Sequence, residues 1–415
     1  MKFLPLCLVL WLPLLSGVVH AQSNPTREMM DDALRVPKIN TEPGPEYADS
    51  QRSMNMSIGM DRTPQGRFWA AWVSGGDSEL GYFVAATSDD DGATWSEPRL
   101  VIDPKEHKSG MFRRTLVGNF WTDPTGNLWL FFDQAMGYYD GRAGVWAITC
   151  ENPDADEPTW SEPRRIWHGA TLNKPIVMKS GEWMLPISLW QRNHIHPKLE
   201  RHFPTMEDQV IPDDYRDQFH ELDGVRQAHV FVSNDQGHTW KRRGGVRFPH
   251  HNFDEHMMVE LKDGRLWMLA RTTQGMWESY SSDQGRTWTE PEKRFPHTSA
   301  RFFLRRLSSG RLLLVRHGMM DETTKQRSHL RAFLSDDDGQ TWHGGLLLDE
   351  RAGISYPDGF ESPDGMIHIL YDHNRYRDAE ILMAKFREED ITAGKFQSAG
   401  SKQRILINRA TGPKR

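Results

Sequence analysis

Cysteine is nearly absent: Cys7 and Cys150 are the two in a chain of 415 residues. Charge of one sign is also missing, since 51 Lys and Arg stand against 57 Asp and Glu, a formal net charge of −6, with no clustered basic stretch. Neutralising a phosphate backbone needs such a cluster, so a nucleic-acid partner is excluded. Long apolar runs are lacking beyond Phe3 to Leu15, which follows Met1-Lys2 and precedes small residues ending Val19-His20-Ala21. That run is shorter than the roughly 20 residues of a membrane span. It reads as a secretory signal cleaved after Ala21, which predicts a secreted or periplasmic chain with no membrane span. Cys7 would leave with the signal, so the mature chain has no internal disulfide and must hold by packing.

Repeats fill the rest of the sequence. One octet, S-x-D-x-G-x-T-W, recurs at Ser88 to Trp95, Ser233 to Trp240, Ser281 to Trp288 and Ser335 to Trp342, with a degenerate copy around Asp156 to Trp160. Its Asp can bond nearby backbone N–H groups, its Gly supplies a positive φ and its Trp packs beneath, so the octet pins a hairpin. A second repeat interleaves with it, a glycine followed by an apolar strand, at Gly66, Gly126, Gly181, Gly264, Gly310 and Gly365. Most gaps between these glycines suit one four-stranded blade. Six units with short, aromatic, β-rich strands and no competing helical period predict an all-β protein, a six-bladed β-propeller with four-stranded antiparallel blades. The long gap from Gly181 to Gly264 holds an insertion at about 191–223, rich in His, Pro and acidic residues. The expected organisation is a signal at 1–21, an N-terminal segment at 22–50, the propeller at 51–390 and a C-terminal tail at 391–415.

The octet, repeated in register with six blades over roughly Arg52 to Phe386, resembles the Asp box of the sialidase (neuraminidase) superfamily. The box marks a fold rather than a reaction, because it also occurs in lyases and in propellers without catalysis. The stretch Glu380 to Phe386 is similar to the last strand of many bacterial sialidase-like proteins.

The glycine turns join the first and second strands of each blade and the Asp boxes join the third and fourth, so both lie at one end of the barrel. Chemistry is expected at the other. There the first strands open with Met56, Leu116, Asn173, Glu255, Arg301 and Tyr356. The second strands end near Asp77, Asp133, Arg192, Arg271, His317 and Asp372 to Arg375. Charges crowded at an opening must be paired or left wet, and with Trp72, Trp121, Trp190, Trp277 and Tyr371 nearby they suit a glycan, above all a sugar acid held by arginines.

The resemblance implies a tyrosine nucleophile, a glutamate that activates it, an aspartate acid/base and three arginines on the substrate carboxylate, in place of the usual carboxylate pair. Tyr356, opening the sixth blade, takes the nucleophile's place and Glu255, opening the fourth, its partner's. Arg271 and Arg301 match the second and third arginines. Around them His256, Glu278, His317, Asp358, Asp372 and Arg375 are candidate substrate contacts. Two elements depart from the pattern: Met56 stands where the first arginine belongs, with Arg52 out of register, and no A-D-A-R segment supplies the acid/base, so Asp77 or Glu79 must stand in. A neutral glycan therefore stays open beside a sugar acid.

Two other readings remain at this point. A polysaccharide lyase would use His256, His317, His373 or Tyr356 as base beside a uronic carboxylate neutralised by Arg271 or Arg301. A glycan-binding propeller would use the same opening without catalysis. His194, His196 and His202 invite a metal, yet no fixed carboxylate geometry accompanies them, so neither a metal nor a cofactor is expected. Nothing in the sequence speaks to the oligomeric state.

Overall fold

A computed structural model describes residues 24–104, 112–197 and 211–414. The signal segment, its cleavage point after Ala21 and His202 lie outside these residues. Six four-stranded antiparallel sheets follow one another along the chain. Blade one holds Met56–Arg62, Phe68–Ser74, Tyr82–Ser88 and Leu100–Ile102; blade two holds Gly118–Thr122, Leu128–Asp133, Val145–Cys150 and Arg164–Trp167. Blade three is Ile176–Val177, Trp183–Ser188, Ala228–Ser233 and Lys241–Val246, and blade four is His251–Glu260, Leu266–Thr272, Gly275–Ser281 and Glu292–Phe295. Blade five is Phe303–Arg306, Leu312–His317, Leu330–Ser335 and His343–Asp349, and blade six is Ile354–Glu361, Ile367–His373, Glu380–Phe386 and Lys402–Arg409.

Both repeats do what their chemistry dictates. The six turn glycines have φ between +81° and +107°, a region closed to most side chains, and each reverses the chain between first and second strands. In each full Asp box the Thr amide and hydroxyl donate to the two carboxylate oxygens, at 2.8 and 2.6 Å for Thr94 on Asp90, while the Gly92 amide donates to Ser88 Oγ at 2.9 Å. Tryptophans fill the wedges between blades: Trp69 meets Trp160 edge-on at 5.5 Å and Trp267 lies 6.5 Å from Trp342.

Three sequence expectations need correction. The degenerate box is centred on Asn152 rather than Asp156: Cys150 occupies the serine position and donates to Asn152 Oδ1 at 3.3 Å, and the Thr159 amide reaches the same oxygen at 2.9 Å. Cys150 thus ends its strand at this turn. Residues 391–415 are not a tail, because Lys402–Arg409 forms the outer strand of blade six, and Glu380–Phe386 is the third strand rather than the last. A short helix, Glu388–Ala393, replaces the sixth box, and its Asp390 carboxylate accepts from the amides of Arg387, Gln397 and Ser398.

Along the axis the inner strands meet in a buried polar network. Asp358 of blade six accepts from the Met60 amide at 3.0 Å, Asn119 Nδ2 at 2.9 Å and Arg301 Nη2 at 3.1 Å, and Lys174 Nζ lies 3.2 Å away. Removing one member leaves the others charged and dry, which costs about 3–5 kcal/mol; losing one Asp-box carboxylate at the solvent edge costs about 1–2 kcal/mol. Equilibrium denaturation should therefore show a much larger loss of stability for Asp358→Asn than for Asp283→Ala.

Candidate functional site

At the end opposite the turns, the inner strands begin irregularly. Register shifts interrupt the pairing between Ser57 and Gly59, between His251, Asp254 and Met257, and between Ser355 and Asp358. At these breaks Phe253, Asp254, Glu255 and Tyr356 take φ values of +64°, +57°, +44° and +50°. Such values cost non-glycine residues roughly 1 kcal/mol or more each and persist only when surroundings enforce them. Here the enforcement comes from neighbouring blades: Asn173 Nδ2 donates to the carbonyls of Glu255 and His256, both at 2.9 Å, and Ser57 Oγ donates to the Tyr356 carbonyl at 2.9 Å.

The bulges bring Tyr356 and Glu255 together. The tyrosine hydroxyl donates to Glu255 Oε1 at 2.9 Å, and Arg271 Nη1 donates to the same oxygen at 2.8 Å. Glu255 Oε2 is buried without a protein partner. Arg375 lies over the tyrosine ring at 4.4 Å and is held from three sides, by Asp372 Oδ1 (3.1 Å), Asp77 Oδ2 (3.0 Å) and Ser355 Oγ (3.0 Å). Burial, with Glu255 adding to it, pushes the Tyr356 hydroxyl up to about 12, against the pull of Arg271 and Arg375. The resting group is therefore a neutral phenol already hydrogen-bonded to a base.

A third guanidinium completes the cluster. Arg327, on the loop between the second and third strands of blade five, donates to Ser355 Oγ at 2.6 Å and to the Ser299 carbonyl at 3.1 Å. Ser299 Oγ in turn accepts from Arg271 Nε at 3.3 Å and from Asn252 Nδ2 at 2.7 Å. Arg327 has no carboxylate partner among the described residues, and burial together with Arg271 and Arg375 holds its pKa below the usual arginine value. A cation in that position is stabilised by an incoming anion. Tyr138, clamped by Arg114 Nε on its carbonyl at 2.7 Å, stands within electrostatic reach of Asp77, Tyr356 and Arg271.

Of the residues the sequence singled out, Tyr356, Glu255, Arg271, Arg375 and Asp77 converge, and Asp372 holds Arg375 from behind. The others do not join them. Arg301 is buried on the axis, donating to Asn173 Oδ1, the carbonyls of Ile58 and Leu172, and Asp358. Asp358 is consumed by the same network. His256 is bonded through Nε2 to the His229 carbonyl and burial lowers its pKa to about 4; His317 is bonded to the Ile354 carbonyl and burial lowers it to about 3. His373 pairs with Glu380 at 2.9 Å. All three rings are buried and bonded to other parts of the fold. Glu278 lies in the wall between blades, accepting from Trp267 Nε1 at 2.8 Å and from the Tyr280 hydroxyl at 3.1 Å. Trp72, Trp121, Trp190 and Tyr371 are core residues, and Trp277 packs partly buried against the blade three and four core. Phe253, Tyr376 and Tyr138 are among the half-buried rings that share a cluster with Tyr356 instead. Arg52, the out-of-register arginine, is buried against Asn55, Ser74 and Asn408.

Sequence reasoning missed Arg327. Its signal was available, because loops joining second to third strands open at the same end, as the one carrying Asp77 does. Among the described residues no three His, Cys, Asp or Glu side chains converge as metal ligands, and His194 stacks on Phe253 at 4.2 Å. A larger cavity of 880 Å³ lies between Val36 to Glu42 and the degenerate box, away from this cluster.

One buried carboxylate beside the site has an unusual balance. Asp254 accepts from Ser188 Oγ at 2.6 Å, and burial, reinforced by Glu255, raises its pKa to about 6. A carboxyl whose folded pKa lies above its unfolded value contributes stability below the unfolded value, and that stability is lost as pH rises through about 6. Asp254→Asn keeps the acceptor for Ser188 and removes the charge. It should stabilise the protein at pH above 7, on the order of 2 kcal/mol, and give little at about pH 4, as read from denaturant midpoints at the two pH values.

Comparison with known proteins places this geometry in context. Residues 66–369 match the family described as a BNR repeat-like domain. No curated protein matches the sequence. Among solved structures, a Hadza microbial sialidase is similar at TM-score 0.57 and 18% identity, over 78% of this chain and 64% of that one. This chain thus spans somewhat less than two thirds of that protein. The intramolecular trans-sialidase of Ruminococcus gnavus is similar at TM-score 0.59 and 12% identity, over 84% of this chain and 97% of its own. A leech intramolecular trans-sialidase is similar at TM-score 0.60 and 12% identity, over 86% and 71%. At these identities the likeness is one of fold, a sialidase-like propeller.

Proposed function

The chain belongs to the BNR repeat-like domain family, and we infer that within it this propeller is an exported, exo-acting glycoside hydrolase of the sialidase superfamily that removes a terminal sugar acid from a glycan. The observation that carries the reading is the Tyr356 hydroxyl bonded at 2.9 Å to Glu255, with Arg271 on the same carboxylate oxygen. A phenol with its pKa near 12 is a poor nucleophile at neutral pH unless a base takes its proton as it attacks.

In the first step Tyr356 Oη bonds to the anomeric carbon, Glu255 accepts the phenol proton, and the bond from that carbon to the leaving oxygen breaks while Asp77 protonates the leaving oxygen. In the second, water attacks the glycosyl-tyrosine, Asp77 takes the water's proton and Glu255 returns the proton to the tyrosine. Both steps balance without a cofactor. Arg271, Arg327 and Arg375 face the carboxylate of the sugar. Arg375 comes from blade six and stands in for the arginine that Met56 replaces in blade one. A carboxylate arriving at Arg375 competes with Asp77 for it, which frees Asp77 to turn toward the leaving oxygen.

Two further points support the reading. The axial network around Asp358 packs beneath Tyr356, with Arg301 6.0 Å from its ring, which fits a pocket that receives the end of a glycan. The similar folds include proteins named as a sialidase and as intramolecular trans-sialidases. Export rests on the signal segment, and no helix of the described residues is long and apolar enough to cross a membrane.

The test is a screen of the purified mature chain against aryl glycosides of N-acetylneuraminic acid, uronic acids and rhamnose, with absorbance of an unsaturated uronide followed in parallel. Release of an acidic sugar is expected, and Tyr356→Phe should lower kcat by roughly a thousandfold or more. An unsaturated product would mark a lyase. Tight glycan binding with no turnover by the wild type would mark a binding propeller.

A further inference from the structure

Beside the Tyr356 and Glu255 pair lies a cavity of 520 Å³ whose wall includes Arg327, Ser355, Arg375, Tyr376 and Arg377. Neither Tyr356, Glu255 nor Arg271 lines it, so it is a compartment adjoining the reacting centre and sharing with it the Arg327 and Arg375 guanidinium groups. Its charge is unbalanced. Asp77 and Asp372 are both taken up by Arg375, and Asp378 accepts from Asn374 Nδ2 at 2.6 Å with His373 at 3.8 Å. Arg327 and Arg377 are left with no carboxylate among the described residues. With Arg327 and Arg375 given to the carboxylate of the departing sugar, Arg377 is the guanidinium of this wall left to meet a second anion.

The cavity also has a defined position relative to the reaction. Tyr376 forms one wall, and its hydroxyl accepts a hydrogen bond from the Asp77 amide at 3.0 Å. Asp77 is the group assigned to protonate the leaving oxygen, so the wall and the proton donor are tied together. The half-buried Tyr376 ring gives a pyranose an apolar face to stack on. We propose that this cavity is the subsite for the sugar next to the one removed, and that it takes a sugar bearing its own carboxylate or sulfate. The natural substrate is then a glycan with acidic groups on two neighbouring sugars. This rests on the hydrolase reading above.

The experiment compares 3′-sialyllactose with α2,8-linked disialyllactose and with 3′-sialyllactose sulfated on its galactose. Wild-type kcat/KM is expected to be about tenfold higher for the doubly charged substrates, what one charge-assisted hydrogen bond supplies, and the advantage should shrink with added salt. Preference for disialyllactose alone would assign the subsite to a carboxylate, and for the sulfated compound alone to a sulfate. Arg377→Gln, at an exposed position, should bring the ratio close to one without lowering the melting temperature. A wild-type ratio of one or less, or a ratio that survives Arg377→Gln, overturns the proposal while leaving the hydrolase reading intact. If none of the three is cleaved, that reading fails for sialosides, and calorimetric titration of the same compounds takes over. Tighter binding of a doubly charged compound, lost in Arg377→Gln, supports the subsite; equal affinities or no binding overturn it.

Discussion

The Asp358 carboxylate on the barrel axis is the interaction on which the rest of the structure depends. It belongs to blade six and gathers donors from blade one (the Met60 amide), blade two (Asn119), blade three (Lys174) and blade five (Arg301). Arg301 passes the connection to Asn173, and Asn173 passes it to the backbone of Glu255 in blade four. A buried ion pair by itself is weak evidence for stability, because desolvation offsets the Coulomb gain. Here the gain is geometric: every member is satisfied only when all six blades stand in one arrangement. The same network explains why charged residues read from the sequence as substrate contacts are unavailable to substrate. Arg301 lies 6.0 Å from the Tyr356 ring, one layer below it, and its donors are spent on closing the axis.

The ring closes without a blade shared between the two ends of the chain, since blade six takes all four of its strands from the C-terminal part. The seam between blades six and one is instead held by Arg52, which donates to the Tyr47 carbonyl, Asn55, Ser74 and Asn408 and pairs with Asp49. Backbone bonds from Thr411 to Asp49, from Gly412 to Arg52 and from Asn55 to Arg375 run alongside. Arg375 thus sits at the seam itself. The residue whose guanidinium lies over the Tyr356 ring is also the one whose carbonyl bonds blade one to blade six.

The fold was legible because its repeats are punctuated by chemistry that cannot be done otherwise: glycines at positive φ, and an Asp, Thr and Trp at fixed spacing. The degenerate box misled because Asn152 can replace Asp and Cys150 can replace Ser while the hydrogen bonds stay in place. Blade position also pointed to Tyr356, Glu255, Arg271, Arg375 and Asp77, which the fold brings into one cluster. It failed for Arg301, Asp358, His256 and Glu278, since strand position gives the end of the barrel but not the depth, and depth decides whether a charge meets substrate or another blade. Arg327 was missed for a different reason. Its loop could be placed at the right end of the barrel, but with Gln326, Arg327 and His329 all at positive φ no alternation singles out one residue within it.

The Tyr356 and Glu255 pair stands on left-handed backbone. Phe253, Asp254 and Glu255 in succession, and Tyr356 opposite them, occupy a region that a regular strand never uses. Had these strands continued in regular pairing, alternation would have sent Glu255 and Tyr356 to faces fixed by their neighbours, with no freedom to aim both at one point. The bulges supply that freedom, and its cost is met through main-chain carbonyls: Asn173 holds that of Glu255 and Ser57 that of Tyr356. Because the tethers grip backbone rather than side chain, the carboxylate and the phenol keep their own hydrogen bonds for each other. One oxygen of Glu255 holds the tyrosine and Arg271 while the other stays buried and unpartnered. That free oxygen is an acceptor position at the pair that the fold leaves open.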